Sequence, residues 1–164
     1  MRAAGLALML AVLAPAAPAQ QTSVPFGGLS HDATLPVEIT SDTLELDQAA
    51  GTAVFQGGVK AGQGELRLAA DRLEVYYEAG EGSDTGTVRR MHATGNVTLT
   101  NGAEHAESEQ ADYDVASGII EMQGDVLLTQ GENALSSRSL RIDLNSGTGL
   151  LEGRVQTIFV PEQQ

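Results

Sequence analysis

The segment with the most chemically versatile side chains begins at Glu104 and reads Glu-His-Ala-Glu-Ser-Glu. If this segment is a strand, His105, Glu107 and Glu109 lie on one side of it, where an imidazole and two carboxylates could bind a divalent metal ion. The same alternation also suits a solvated strand face, which is the interpretation that we favour. The other two histidines have no partner at metal-ligand spacing, and the acidic turns contain no EF-hand loop. The sequence therefore predicts neither a metal site nor a cofactor.

Motifs of the common enzyme classes are missing from the sequence. Gly62-Gln63-Gly64 is not followed by the Gly-Lys-Ser/Thr of a phosphate loop, and there is no Gly-x-Ser-x-Gly of a serine hydrolase. The 22 Asp and Glu residues could include a glycosidase pair, but aromatic residues make up only 4% of the chain and offer few surfaces for sugar binding. We therefore expect no enzymatic activity, and a carbohydrate-active jelly-roll enzyme stays open as an alternative.

Charge and composition exclude further classes of function. The chain has 164 residues, and its 9 Lys and Arg against 22 Asp and Glu give a formal charge of −13. Such an acidic surface does not neutralise phosphates, so no nucleic-acid partner is expected. The absence of cysteine excludes disulfides, thiolate metal sites and a lipoprotein-type anchor. The 19 glycines favour a turn-rich β protein.

The N-terminus has the features of an export signal. Arg2 precedes a short apolar run, and an Ala-Pro-Ala cleavage site ends at Ala19. The run is shorter than the roughly 20 apolar residues that span a bilayer. The sequence thus predicts a cleaved signal peptide over residues 1–19, a flexible lead-in over residues 20–36 and one domain over residues 37–161.

A Gly-x-Val motif recurs along this domain. Its valines are spaced by 38, 29 and 29 residues and are Val59, Val97, Val126 and Val155. The longer interval contains an acidic, glycine-rich insertion, residues 78–86, whose nine residues account for the difference. An Asp-x-x-x-Gly turn precedes three of the valines at the same distance, at Asp47, Asp114 and Asp143. The pattern predicts about four 29-residue repeats, with the valines at equivalent positions after equivalent turns.

Between the turns, apolar and polar residues alternate with period two, which is typical of antiparallel strands with one buried face. The parity of the apolar positions changes between Ala70 and Leu73, which predicts a bend or bulge there. Strands at such regular spacing predict a sandwich, a jelly roll or a solenoid. The residues expected to line one continuous interior are Leu44, Leu46, Leu66, Leu68, Val97, Leu99, Leu140 and Ile142.

Several segments in a fixed order resemble the OstA-like domain family of lipopolysaccharide-transport proteins. They are Ile39–Asp47, Ala53–Val59, Gly64–Tyr76, Ala93–Val97, Ala106–Tyr113 and Arg154–Pro161. Each motif is weak alone, but together they cover the whole chain that follows the predicted signal peptide.

The resemblance implies an all-β jelly roll of antiparallel strands that is open at both ends. It also implies a periplasmic protein that catalyses no reaction and carries lipopolysaccharide from the inner to the outer membrane, with the lipid A moiety in the apolar interior. The implied partners are LptC at the inner membrane and the periplasmic domain of LptD at the outer membrane.

The terminal strands of an open roll carry unpaired backbone groups, which predicts head-to-tail association between copies. The candidate edge residues are Val37, Ile39, Val155, Ile158 and Val160. The last segment could equally be an ordinary closing strand whose apolar residues face the core. A structural β-solenoid or fibre module with a filled interior and no lipid ligand is the alternative function.

Overall fold

The computed structural model describes residues 35–78 and 86–160 together with the backbone of residues 22–25. The predicted signal peptide, most of the predicted lead-in and residues 79–85 of the acidic insertion lie outside the described residues. Within the described part there are eleven strands. Among these residues there is no helix with the length and apolar character needed to cross a membrane.

The strands, in chain order, are β1 Thr22–Pro25, β2 Glu38–Thr40, β3 Thr43–Asp47, β4 Thr52–Gln63, β5 Leu66–Glu78, β6 Thr87–Asn101, β7 Glu104–Asp114, β8 Ile119–Gln130, β9 Asn133–Asp143, β10 Thr148–Glu152 and β11 Gln156–Ile158. They form one antiparallel sheet in the order β1-β10-β9-β8-β7-β6-β5-β4-β2, in which β3 also pairs with β4 and β11 also pairs with β9. Each outermost long strand thus pairs with two short strands, β4 with β2 and β3, and β9 with β10 and β11. The sheet is therefore open at both ends, as the resemblance implied.

Each long strand bends at a corner, and the corners divide the sheet into two halves. In the Gly-x-Val motifs the glycine and the residue after it both have positive φ, at Gly57 and Gly58, Gly95 and Asn96, Gly124 and Asp125, and Gly153 and Arg154. The pairing register shifts across the first three of these corners. The half that contains β2, β11 and the strand ends next to them is called the first half, and the half that contains β3 and β10 is called the second half. A single cluster of buried apolar residues draws on both halves.

The corners confirm the repeat that the sequence predicted. Val59, Val97 and Val126 are buried and pair with Ala70, Ser108 and Ser137 respectively, at the same place after the same turn. Val155 follows the fourth corner and is half-buried.

The predicted irregularity near Ala70 is also present. The register between β5 and β6 shifts between Ala69 and Arg72, and both Ala70 and Leu73 are buried despite their opposite parity.

The Asp-x-x-x-Gly segments are the hairpin turns of the second half. The Asp114 Oδ1 atom accepts hydrogen bonds from the Ser117 backbone N–H at 2.8 Å and from the Ser117 hydroxyl at 2.9 Å. These bonds stabilise the ionised carboxylate and lower the pKa of Asp114. The pKa of Asp143 is lowered in the same way by the backbone N–H groups of Ser146 and Asn145.

The prediction of a flexible lead-in over residues 20–36 is wrong for residues 22–25. These four residues form β1, which pairs with β10 from Thr22 opposite Leu151 to Pro25 opposite Thr148. The physical reason is that β10 lies at the end of the sheet, where its outer backbone groups can pair with a segment that is distant in sequence.

Replacement of a corner glycine should destabilise the fold. A Cβ atom at Gly95, where φ is +80°, would lie 2.4 Å from Oδ2 and 2.9 Å from Cβ of Asp71. Gly95→Ala should therefore lower the free energy of unfolding by about 2–4 kcal/mol, measured by urea denaturation. Gly102→Ala is the matched control, because φ there is +59° but a Cβ atom meets nothing within 4 Å. An equal loss in the two variants would show that the close contact with Asp71 is not important.

Candidate functional site

The interior is built from rows of apolar side chains that run across the strands. Directly paired residues of an antiparallel sheet project to the same face, so the register defines each row. One row lies in the first half and consists of Ile39, Ala61, Leu68, Leu99, Ala106, Leu128 and Leu135. A second row lies in the other half and consists of Leu44, Phe55, Leu73, Ala93, Ala111, Met122, Leu140 and Leu151.

An apolar cavity of about 40 Å³ lies between the two halves. It is on the side of the molecule nearer to β4, and residues of both halves line it. The first half contributes Val37, Ala61, Gly62, Gln63, Leu66, Leu68 and Leu99, and the second half contributes Leu73, Met91, Ala93, Ala111, Tyr113 and Ile120. An engineered cavity that binds benzene measures about 150 Å³. The cavity is therefore smaller than one that holds benzene, and a long apolar ligand does not fit in it as it stands.

The cavity wall carries no charge. Tyr113 is the one titratable residue among its lining residues. The pKa of the Tyr113 hydroxyl is raised, mainly by burial and secondly by the nearby Asp114 carboxylate. The hydroxyl therefore stays neutral at physiological pH. The cavity favours an apolar group over an ion, because an uncompensated charge would lose its hydration there.

A row of polar side chains lies on the interior face beside the hairpins of the first half. Its polar members are Gln63, Asn101, Glu104, Gln130 and Asn133, and Leu66 lies between the first two. The Gln130 Nε2 atom donates to Oε1 of Glu104 at 3.0 Å, and the Gln63 Nε2 atom donates to the Leu35 carbonyl at 2.9 Å. Gln63, Asn101 and Glu104 are buried.

Sequence reasoning missed this row, although a signal for it exists. A polar amide residue directly precedes the hairpin glycine in three copies of the repeat, at Gln63, Asn101 and Gln130. The interior face is therefore apolar except along this polar row.

The residues expected in the interior fall into three groups. Leu66, Leu68 and Leu99 line the cavity. Val97, Leu140 and Ile142 are buried in the same core away from the cavity. Leu44 and Leu46 are the exceptions.

Leu44 and Leu46 belong to interior rows but are not covered. They pair with Phe55 and Ala53 and therefore lie on the interior face, yet 51% and 61% of their surfaces are exposed. Leu44 and Leu46 thus lie on the expected face but stay exposed, because the described residues place no strand beyond β3.

The predicted edge residues differ between the two ends. Val37 and Ile39 are half-buried and pack against the core, and Val155 is also half-buried. At the other end, 66% of Ile158, 72% of Phe159 and 46% of Val160 is exposed. Three consecutive exposed apolar residues at a sheet edge can accept a partner.

The outer face of the sheet carries charged side chains, in contrast to the largely apolar interior face. His105 and Glu107 lie there and interact with each other, with 2.9 Å between Nε2 and Oε1. Glu109 lies instead at a corner, where it packs against Gly124. Among the described residues there is no group of three side chains that could hold a metal ion.

These features define an open, all-β jelly roll with an apolar interior, a class of fold that can shelter an apolar ligand. The model of the family described as LptA/(LptD N-terminal domain) LPS transport protein matches residues 38–148. The chain belongs to this family.

Individual relatives agree with this assignment. The chain is 33% identical to an uncharacterized protein of Rhizobium meliloti, over 98% of this chain and 89% of that protein. It is 25% identical to the lipopolysaccharide export system protein LptA of Escherichia coli K12, over 86% of this chain and 80% of LptA. A crystal structure of LptH, the LptA-homologous periplasmic component from Pseudomonas aeruginosa, superposes with a TM-score of 0.69 at 16% identity, over 80% of this chain and 99% of LptH. The likeness to LptH confirms the predicted jelly-roll fold.

Two leucines of the same interior row should differ in their importance for stability. Leu140→Ala removes a buried side chain and should lower the free energy of unfolding by about 2–5 kcal/mol. Leu44→Ala removes an exposed side chain and should change it by only about 0.5 kcal/mol or less. Urea denaturation at low protein concentration measures both values. A large loss for Leu44→Ala would mean that β3 is covered in solution.

Proposed function

We propose that this protein is a periplasmic carrier that binds the lipid A moiety of lipopolysaccharide between the two halves of its sheet and passes it from the inner towards the outer membrane. The observation that carries the proposal is the uncharged apolar cavity, lined from both halves, in a member of a lipopolysaccharide-transport family. In this proposal the protein acts by binding and catalyses no reaction.

The physical need for such an interior follows from the ligand. Burial stabilises each methylene group by about 0.8 kcal/mol, so one twelve-carbon acyl chain exposed to water costs about 10 kcal/mol. A carrier between two membranes must therefore keep an apolar surface beside the chain throughout the crossing. The rows through Leu68 and Leu73 supply that surface from either half.

The size of the cavity adds a requirement to the proposal. A space of about 40 Å³ does not hold an acyl chain, so lipid entry separates the two halves. The strands of each half stay hydrogen-bonded while this happens, because the halves meet through side chains away from the corners. Opening thus exposes apolar surface that the acyl chain then covers.

A photo-crosslinking amino acid tests the proposed ligand position. Placed at Leu68, which lines the cavity, it should capture lipopolysaccharide in the cell. Placed at Arg67, which is the next residue and points to the outer, exposed face, it should capture at least about tenfold less, because adjacent strand residues face opposite sides. Mass spectrometry of the adducts identifies the lipid. Equal labelling at the two positions would contradict the proposal, and absence of any lipid would favour a filled structural module.

We further place the partners of this carrier at the two ends of the sheet. LptC would pair with the end formed by β2 and β3, and the periplasmic domain of LptD or a second copy would pair with the end formed by β10 and β11. Support comes from the outer edges of β2, β3 and β11, beside which the described residues place no strand, and from the exposed residues Ile158–Val160. Antiparallel strand addition satisfies the backbone groups of both partners.

A proline in β11 tests the second contact. Ile158→Pro removes a backbone donor and should reduce capture of LptD by about tenfold, whereas capture of LptC at the distant end should not change. Ile158→Val is the control, because it keeps the donor and the strand preference. The measurement is a pull-down of each partner, with circular dichroism to show that the variant is folded. Undiminished binding of LptD by folded Ile158→Pro protein would exclude this edge as the contact.

A further inference from the structure

The end of the sheet at β10 and β11 is only half free. The outer side of β10 is already paired with β1, whereas the outer side of β11 has no strand beside it among the described residues. β1 comes from the opposite end of the sequence, so the chain covers half of its own terminal edge.

The repeat determines which strand of a second copy would fit at this edge. In the corners of β7 and β9, the hydroxyls of Ser108 and Ser137 donate to the carbonyl two residues later, at 3.0 Å and 2.9 Å. Ser41, between β2 and β3, makes the same bond to the Thr43 carbonyl at 2.8 Å. The segment formed by β2 and β3 is therefore the equivalent of β7 and β9, the strands that follow β6 and β8 in the sheet.

The strand lengths support this equivalence. β10 and β11 have five and three residues, and β3 and β2 also have five and three. A second copy would thus place its β3 on β10 and its β2 on β11, with its Ser41 corner beside the corner at Gly153.

The register at this junction follows from the pair formed by β8 and β9, in which Ile119 lies opposite Asp143. One repeat of 29 residues after Ile119 is Thr148, and Asp47 is the equivalent of Asp143 in the repeat. The same register therefore places Asp47 of a second copy opposite Thr148, and its Glu45 opposite Leu150. β1 takes the same register and the same direction, with Pro25 opposite Thr148 and Ser23 opposite Leu150. Residue for residue, β1 occupies the place of β3 from a second copy.

We propose that β1 is an intramolecular cap that occupies the β3-binding edge of β10 and so limits head-to-tail growth between copies of this chain. This inference rests on the proposed association of the two ends. The cap is exchangeable because it pairs only four residues and ends at Pro25, which cannot donate to a ladder.

The competing strand has more to gain from the edge. β3 pairs five residues and carries Leu44 and Leu46, which are half-exposed or more in the single chain. On β10 they would continue the interior rows of Leu140 and Ile142. Displacement of β1 therefore exchanges a short strand for a longer one that buries apolar surface.

Engineered cysteines test the cap without background, because the chain has no cysteine of its own. Residues directly opposite in an antiparallel pair have Cα atoms about 4.5–5.5 Å apart, within the range that a disulfide bridges. Ser23→Cys with Leu150→Cys should form a disulfide within one chain under mild oxidation. Ser23→Cys with Leu127→Cys is the control and should not, since Leu127 lies on β8, beyond β9.

A second cysteine pair reports the competing contact. Glu45→Cys with Leu150→Cys should link different chains into a ladder of covalent oligomers. In a chain that also lacks residues 22–25, the linked fraction should rise about fivefold or more, because four cross-strand pairs no longer oppose it. Circular dichroism confirms that the shortened chain is folded.

The outcomes separate the cap from the proposed function. Disulfides between chains in the Ser23→Cys, Leu150→Cys variant, or no disulfide at all in that variant, would overturn the cap. An unchanged ladder after removal of residues 22–25 would also overturn it. Lipid capture by the crosslinker at Leu68 does not depend on β1. Failure of that capture would contradict the carrier proposal, but it would not change the meaning of the disulfide results.

Discussion

The structure depends on one constraint, which is that a continuous antiparallel sheet must turn through a corner while its backbone groups stay paired. Two consecutive residues with positive φ achieve this in β4, β6 and β8, such as Gly95 and Asn96 in β6. The corner lets one sheet face itself, so the interior rows of both halves cover each other. The cavity between the two halves follows from where the corners lie.

The repeat could be predicted from the sequence because its determinants are local. The first residue of each corner has a φ of 80–84°, which favours glycine, and the valine two residues later packs against the core, so the corner is visible in the sequence as Gly-x-Val. The turn at Asp114 is similarly local, because its carboxylate binds backbone N–H groups three residues away. Period-two alternation then assigned Leu68 and Leu99 to the interior face, where the structure has them.

The errors arose where the outcome depends on strands that are distant in sequence. Alternation gives the face of Leu44 and Leu46, but their exposure depends on whether another strand lies beyond β3. Likewise, nothing near Thr22 indicates that β10, more than a hundred residues later, offers it an edge. The polar row at Gln63 and Glu104 was hidden because two-residue periodicity reports polar residues as solvent-facing.

The two ends of the sheet also differ in charge, which bears on how association is controlled. The end formed by β2 and β3 contains Glu38, Asp42, Glu45 and Asp47 without a Lys or Arg in the segment 37–47. Two copies that each carry a formal charge of −13 repel each other, which opposes stacking, but salt screens this repulsion over about 8 Å. Strand pairing acts at hydrogen-bond distance, where the proposed cap competes directly. In this proposal charge slows the approach of two copies, whereas β1 determines whether an encounter becomes a continuous sheet.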